Sequence, residues 1–238
     1  MCGRYASFRQ AQDLADTFDV AEVTDEAAAV PPSFNVAPTQ PVRIVLERLV
    51  EAEPLTVRRE MHAARWGLVP AWAKDPSVGA RMINARTETV AEKSVFAKPL
   101  ATRRCVLLAD GYFEWRRDAG RKIPYFVHGA DAGPVALAGL YSFWRDPAKA
   151  EDDPTRWLLS TTVLTRAARP ELEFLHDREP VLLAPGILAD WLDPALTAPE
   201  GALAVLHAEA PRVDLHEVGA KVGNVRNDSP ELIEPVDA

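Results

Sequence analysis

Cysteine is scarce in this chain of 238 residues, which contains only Cys2 and Cys105. Two cysteines are too few for the disulfide framework that holds small secreted proteins together. No Cys-x-x-Cys pair and no closely spaced histidine pair accompanies them, so the sequence predicts neither a metal site nor a cofactor. We expect both thiols to remain reduced.

Long apolar runs are also missing. No stretch approaches the roughly 18 consecutive apolar residues that cross a bilayer, and the N-terminal MCGRYASFRQ lacks the apolar core of a signal peptide. We therefore expect a cytoplasmic protein with no membrane partner. Hydrophobic residues make up 47% of the chain and charged residues 26%, a balance that is typical of folded globular proteins and excludes a disordered chain.

Basic residues are outnumbered, with 27 Lys or Arg against 35 Asp or Glu and a net charge of −8, which on average repels nucleic acid. The charge is uneven, however. Residues 54–122 hold 14 basic and 7 acidic residues, whereas residues 123–238 hold 9 basic and 19 acidic ones. Arginines and aromatics alternate in the basic segment, which suits a single-stranded nucleic acid. A solvated basic surface over core aromatics is the alternative, and composition alone favours it.

Hydrophobic spacing predicts many short strands and a few short helices. Residues 30–41 contain four prolines and read as an extended loop. Residues 42–49 and 55–63 form a predicted hairpin with a turn at 50–54, and 84–90 are extended. Further strands are expected at 105–109, 125–128, 135–140 and 157–162, and helices at 10–20, 91–99, 185–192 and 200–207. Because strands and helices do not alternate regularly, we predict an α+β fold, one domain over 1–238 with residues 234–238 disordered.

Cys2 carries the strongest chemical signal. Aminopeptidases remove Met1 when the second side chain is small, which leaves a free aminothiol whose amine and thiol ionise near pH 8. The thiol could attack an amide, as in N-terminal-nucleophile hydrolases. Alternatively, the amine condenses with an aldehyde and the tethered thiol closes a thiazolidine ring. A cysteine without a role at a frayed terminus is the third interpretation. Cys105, inside the apolar run CVLLA, is predicted to be a packed core thiol.

Three other places offer polar groups with catalytic potential. His176, flanked by Asp177 and Arg178, could exchange protons near neutral pH, although a lone histidine is more often structural. Glu114 lies among aromatic residues, and carboxyls in apolar surroundings have raised pKa values that suit proton transfer. An ion pair with one of the two arginines that follow is the alternative. Asn84 and Arg86 alternate on one strand face, so both could enter one pocket or satisfy loop backbone.

Seven motifs occur in order along nearly the whole chain: MCGRY (1–5), FNVAP (34–38), RWGLVPAW (65–72), INARTET (83–89), ADGYFEW (109–115), LHDR (175–178) and VGNVR (222–226). Each is weak alone, but the combination resembles the SRAP family, the SOS response-associated peptidases or abasic site processing proteins. The resemblance implies a single compact domain with a β-rich, barrel-like core of mixed and antiparallel sheets. It also implies a covalent crosslink to abasic sites in single-stranded DNA.

The resemblance assigns four catalytic residues. Cys2 would be the nucleophile that forms a thiazolidine with the aldehyde of the ring-opened deoxyribose, which shields the site from strand cleavage. Glu114 would move protons during ring opening, imine formation and the reverse reaction. His176 would assist the same steps. Asn84 would orient either the sugar or the Cys2 backbone.

The resemblance assigns DNA contacts to Arg4, Asn35, Trp66, Arg86 and, more weakly, Arg178. It implies a monomer that acts on single-stranded DNA containing abasic sites, with replication-fork proteins as potential partners and lyase or self-directed peptidase activity as side reactions. One departure is the residue after HDR, where the family frequently has methionine and this chain has a glutamate. An additional carboxylate at position 179 would weaken nearby phosphate binding.

Two other function classes remain open. An N-terminal-cysteine amidohydrolase or protease would form an acyl-enzyme on an amide substrate and would need no DNA. A non-catalytic module that binds single strands would tolerate replacement of Cys2.

Overall fold

The computed structural model describes residues 2–50 and 56–236, and strands dominate these ranges. The strands are β1 (Tyr5–Ser7), β2 (Glu22–Val23), β3 (Ser33–Val36), β4 (Pro41–Val50), β5 (Thr56–Trp66), β6 (Asn84–Arg86), β7 (Arg104–Ala109), β8 (Gly111–Asp118), β9 (Arg121–Gly129), β10 (Val135–Arg145), β11 (Trp157–Ala167), β12 (Arg178–Pro180), β13 (Leu182–Leu183) and β14 (Val213–Glu217).

The α-helices are short: α1 (Ala11–Thr17), α2 (Asp25–Ala28), α3 (Ser94–Thr102), α4 (Leu188–Leu192) and α5 (Pro199–Val205). Single 3-10 turns lie at Pro76–Arg81, Pro154–Arg156, Pro170–Leu172, Pro185–Ile187, Ala220–Gly223 and Pro230–Ile233. Within the described ranges, no helix has the length and apolar character needed to span a membrane. The predicted α+β class with mixed and antiparallel sheets is confirmed.

Two sheets organise the strands. The smaller sheet has the order β14-β9-β8-β1-β3, and the larger one β12-β11-β10-β7-β4-β5-β2, with β13 on β10 and β6 on β11. A parallel pairing of β11 with β5 connects two distant strands of the larger sheet, so the pairings run in a ring through β5, β4, β7, β10 and β11. The family resemblance implied a barrel-like core, and the structure shows strands of the larger sheet paired in a closed ring.

Strand alternation divides the core into two apolar layers. On β7, Val106 and Leu108 pack with the helices, whereas Cys105 and Leu107 pack with Cys2 and the other sheet. The run CVLLA is therefore buried on both faces, as its composition predicts. Cys105 is fully buried, which confirms its prediction as a packed core thiol, and burial raises the pKa of this thiol to about 12.

Most predicted elements are confirmed, with shifted boundaries. The hairpin forms β4 and β5, the predicted strands correspond to β7, β9, β10 and β11, and the helix after residue 91 begins later, at Ser94. Residues 33–36, predicted as loop, form β3 because they pair with β1. The missed elements are β2, α2, β8, β12, β13 and β14. β8 mixes aromatic and charged residues, which hides the period of two.

Two predictions concern the edges of the described ranges. The predicted disorder of 234–238 is wrong for 234–236, because Pro235 bridges Val218 and the Val236 N–H donates to the Glu217 carbonyl. Residues 237–238 lie outside the described ranges, as do residues 51–54 of the predicted turn.

Glu60 on β5 is a buried carboxylate that should contribute strongly to stability. It accepts hydrogen bonds from Arg48 and Arg58 at 2.7 and 2.6 Å, and His62 Nε2 lies 2.9 Å away. Burial raises the pKa of Glu60, but these hydrogen bonds outweigh burial and lower it to about 2. Glu60→Gln should therefore reduce the free energy of unfolding by about 2 to 3 kcal/mol at pH 7.

The pH dependence has a defined sign. A lowered folded-state pKa stabilises above the unfolded value, near 4.3, and this contribution disappears as the pH falls towards 2. Urea unfolding of wild type and Glu60→Gln should converge over that range. Glu22→Gln, a half-exposed partner of Arg58, is the control and should change stability little. A stability difference independent of pH would contradict the assignment.

Candidate active site

Cys2 lies just before β1 and is completely buried. Asn84 Nδ2 donates a hydrogen bond of 2.7 Å to the Cys2 carbonyl. Asn84 begins β6, which pairs in parallel with β11 and is thereby fixed beside the N-terminal segment. Of the two roles that the resemblance offered for Asn84, this contact matches the one towards the Cys2 backbone.

The Cys2 thiol is held in its protonated form. Burial raises its pKa to about 12 and the negative charge of Glu114 acts in the same direction, whereas the positive charge of the N-terminus and the backbone N–H of Arg4 partly oppose both. A thiol with this pKa is not a ready nucleophile at neutral pH. It needs a base to accept its proton at the moment of attack. The carboxylate of Glu114, whose negative charge raises the pKa of this thiol, is a group of that kind.

Glu114 lies on β8, which pairs with β1 on one side and β9 on the other. Its side chain is buried, and Oε1 accepts a hydrogen bond of 3.2 Å from the backbone N–H of Trp115. Of the two arginines that were its alternative partners, Arg116 instead lies 3.7 Å from Asp118 and over the Tyr125 ring. Glu114 is thus placed beside Cys2 by the pairing of β8 with β1.

A cleft of about 590 Å³ opens next to Glu114. Its lining consists of Glu114, Trp115, Arg117, Lys122, Pro124, His176, Ala220 and Gly223. The cleft therefore contains Glu114 and His176, two of the four predicted catalytic residues. The other two, Asn84 and Cys2, are joined by the hydrogen bond to the Cys2 carbonyl.

His176 is half-buried in the cleft wall. Its Nδ1 lies 2.6 Å from Asp177 Oδ1 and accepts a hydrogen bond of 3.0 Å from the Arg178 backbone N–H. The amide contact requires a lone pair on Nδ1, whereas the carboxylate favours a proton there, so the two contacts support different protonation states. Both involve Nδ1, which leaves Nε2 to exchange a proton with a molecule in the cleft.

Two predicted DNA contacts have structural partners instead. Arg4 donates through one nitrogen to Asn35 Oδ1 and to the Val222 carbonyl, both at 2.8 Å. Asn35 is only 2% exposed, and its Nδ2 donates to the carbonyls of Asn224 and Asn227. The predicted contact of Asn35 with DNA has no support in this structure, because the side chain is buried and its amide is already hydrogen-bonded. The two side chains instead hold the segment whose Ala220–Gly223 turn forms one wall of the cleft.

Trp66 is a third predicted DNA contact with structural partners. Its side chain is 0% exposed, its Nε1 donates to the Ile83 carbonyl at 3.0 Å, and its ring lies 5.1 Å from that of Tyr5. A ring that is completely enclosed cannot stack on a base, so this structure gives the predicted DNA contact of Trp66 no support. Trp72, at the end of the same motif, is 69% exposed. The sequence did not distinguish the two because burial depends on the ring of strands.

Arg86 and Arg178 likewise differ in whether the side chain is available to DNA. Arg86 is exposed at the end of β6. Arg178 forms a bidentate ion pair with Glu88 at 2.6 and 2.9 Å, donates to the Thr165 carbonyl, and lowers the pKa of Glu88. Arg86 thus remains available for phosphate, whereas the charge of Arg178 is already compensated.

Glu179 does not act as a free carboxylate. It is buried and accepts hydrogen bonds from Arg166 and Arg169 at 2.7 and 2.8 Å. The expectation that its charge weakens nearby phosphate binding is wrong, because two guanidinium groups neutralise it. Among the described residues, no group of three or more His, Cys, Asp or Glu side chains is arranged to hold a metal ion.

Comparison with known proteins shows the family to which the chain belongs. A family model described as SOS response associated peptidase (SRAP) matches residues 1–225. The chain belongs to this family. Its resemblance to SRAP proteins in sequence is thereby confirmed.

Relatives from two bacteria are similar to this chain over almost their whole length. The abasic site processing protein YoqW of Bacillus subtilis is 36% identical over 236 residues, which cover 98% of this chain and 99% of the relative. The abasic site processing protein YedK of Escherichia coli is 31% identical, with 99% and 100% covered. A protein from Bacteroides thetaiotaomicron shares the fold, with a TM-score of 0.82 at 20% identity and with 99% and 100% of the two chains covered.

Proposed function

We propose that this protein processes abasic sites in single-stranded DNA by forming a covalent crosslink through Cys2. The observation that carries the proposal is the anchoring of the Cys2 carbonyl by Asn84, close to a cleft that contains Glu114 and His176. The names of its relatives YoqW and YedK support abasic sites as the substrate. The thiazolidine, the removal of Met1 and the single-domain role of residues 1–238 belong to the proposal, and Met1 lies outside the described residues.

The reaction begins at the α-amine. Once Met1 has been removed, the neutral amine of Cys2 attacks the C1′ aldehyde of the ring-opened sugar, and water leaves to give an imine. The thiol then adds to the imine carbon, forming a C–S bond, while the S–H proton moves to the imine nitrogen. The product is a thiazolidine, and neither an oxidant nor a reductant is required.

The raised pKa of the thiol sets the order of these steps. A protonated thiol does not compete with the amine for the aldehyde. Glu114, whose charge the thiol senses, accepts the S–H proton when the imine has formed and passes it to nitrogen. His176, which lines the cleft, exchanges protons with the sugar oxygen during ring opening. Asn84 fixes the backbone that carries both nucleophiles.

Ring closure also explains strand protection. An imine activates the sugar for β-elimination of the 3′ phosphate, which breaks the strand. Thiazolidine formation removes the imine and stops that path. Lyase activity is therefore expected only when ring closure fails.

Binding of the strand requires exposed groups. Arg86 offers an exposed cation, and Trp72 replaces Trp66 as the aromatic on which an unpaired base stacks. The acidic C-terminal part keeps affinity for undamaged DNA low, so selection rests on capture of the aldehyde. Self-removal of Met1 is the second candidate activity, and the word peptidase in the family description favours it.

Asn84→Ala should slow crosslinking by about 10- to 100-fold, because the Cys2 backbone loses the hydrogen bond that orients both nucleophiles. The measurement is the rate of adduct formation with an oligonucleotide carrying one abasic site, followed on a denaturing gel. Unfolding should change little, because one such bond contributes about 1 kcal/mol. Thr87→Val, which removes a hydroxyl three residues further on, is the control. Wild-type rates in Asn84→Ala would contradict the positioning role.

A further inference from the structure

Arg117 and Lys122 form an unusual pair on the wall of the cleft. They lie directly opposite each other on β8 and β9, and both side chains are exposed and line the cleft that contains Glu114 and His176. Like charges in directly opposite positions of an antiparallel pair destabilise a sheet. Repulsion between Arg117 and Lys122 therefore destabilises the β8–β9 hairpin where it faces the cleft.

No carboxylate of the described residues lies within ion-pair distance of either side chain. Other cations of the basic segment have partners: Arg58 and Arg59 pair with glutamates, and Arg104 donates to backbone carbonyls. Part of the positive charge of residues 54–122 is thus neutralised within the fold. Arg117 and Lys122 are cations of that segment that stay uncompensated and open onto the cleft.

We propose that Arg117 and Lys122 bind the phosphodiester next to the abasic sugar. A guanidinium donates two parallel hydrogen bonds to phosphate oxygens, and an ammonium adds a mobile point charge. Arg117 follows Glu114 by three residues on the same strand, a spacing of roughly 10 Å along the backbone, and although the two side chains leave opposite faces of the strand, both line the same cleft. A side chain as long as arginine reaches back from there to a phosphate adjoining a sugar held at Glu114.

This pair would give the site a preference for DNA over free aldehydes. The inference rests on the proposed function, because it takes the sugar at Glu114 as the reference point. Sugars and metabolites that carry an aldehyde but no phosphodiester would meet the same Cys2 aminothiol without the phosphate anchor. Their capture would be slower, although the chemistry at Cys2 is unchanged.

The test separates phosphate binding from covalent chemistry. The double variant Arg117→Gln with Lys122→Gln is compared with wild type and with Lys93→Gln and Lys98→Gln, which removes two exposed cations from the region of α3 that do not line the cleft. Fluorescence anisotropy measures binding of a single-stranded oligonucleotide that contains a tetrahydrofuran spacer, which has no aldehyde. Intact mass measures the rate of adduct formation with free 2-deoxyribose.

We expect the double variant to bind the spacer oligonucleotide about tenfold more weakly and to lose about 0.7 from the slope of log affinity against log salt, the value for one phosphate contact on a single strand. Its rate with deoxyribose should equal that of wild type. Unchanged affinity and slope, or an equal loss in the control, would overturn the phosphate site. Absence of any deoxyribose adduct in wild type would count against the chemistry at Cys2, while the anisotropy result would still decide the phosphate site.

Discussion

Cys2→Ala should abolish the heat-stable adduct with abasic single-stranded DNA. Alanine, like cysteine, has a side chain small enough for aminopeptidases to remove the preceding Met1. The variant should therefore still have a free amine at residue 2. That amine can form the imine but cannot close the ring. We therefore expect loss of the stable crosslink together with strand breaks at the abasic site, because the imine activates the 3′ phosphate for elimination. A denaturing gel with a labelled oligonucleotide measures both products.

Cys105→Ala is the matched control. Cys105 is equally buried and lies in the same apolar cluster as Cys2, and its thiol has a similarly raised pKa. Its sulfur contacts the Thr161 hydroxyl at 3.4 Å rather than any predicted catalytic residue. Crosslinking should therefore persist in Cys105→Ala. A persistent crosslink in Cys2→Ala would contradict ring closure by the thiol.

Glu114→Gln should slow crosslinking by about 10²- to 10⁴-fold, the range that a positioned general base contributes. Glutamine preserves the size of the side chain but cannot accept the thiol proton. At the same time it removes a negative charge that raises the pKa of the Cys2 thiol. The thiol of the variant should therefore ionise at lower pH than that of wild type, even though the reaction is slower.

These two effects have opposite signs, which distinguishes proton transfer from simple disruption of the site. Ultraviolet absorbance of the thiolate, recorded against pH, measures the first effect, and the rate of adduct formation measures the second. Glu60→Gln replaces another buried glutamate and should leave both readouts unchanged at neutral pH. If Glu114→Gln crosslinks at the wild-type rate, the carboxylate is not the base.

The sequence predicted the local parts of the fold well. The β4–β5 hairpin and the doubly buried β7 follow from apolar alternation and from a continuous apolar run. β3 was missed because four prolines dominate its surroundings, and only pairing with β1 makes it a strand. β8 was missed because charged residues share it with aromatics. Pairings between distant segments, such as β5 with β11, have no local signal.

The candidate site, like the fold, could be predicted from the sequence only in part. Motif positions predicted roles for Cys2, Asn84, Glu114 and His176, and the structure adds the contact between Asn84 and the Cys2 carbonyl. Motifs could not say that Trp66 and Asn35 are enclosed, because burial depends on neighbours from other strands. The two guanidinium groups that neutralise Glu179 come from residues 166 and 169, whose approach depends on the pairing of β11 with β12.

The net charge of the whole chain does not describe the charge of its individual segments. The value of −8 argued against a nucleic-acid partner, and the basic segment argued for one. In the fold, several arginines of that segment hold the protein together, and a smaller set remains exposed around the cleft. The charge relevant to DNA is therefore local.

The most direct test of the account is intact-mass analysis of the purified protein after incubation with an oligonucleotide containing one abasic site and subsequent heating. The account predicts a species with the mass of the chain without Met1 plus that of the oligonucleotide less one water, with the modification mapping to Cys2 after digestion. An unmodified protein, or an adduct that maps to a lysine and is lost on heating, would contradict it.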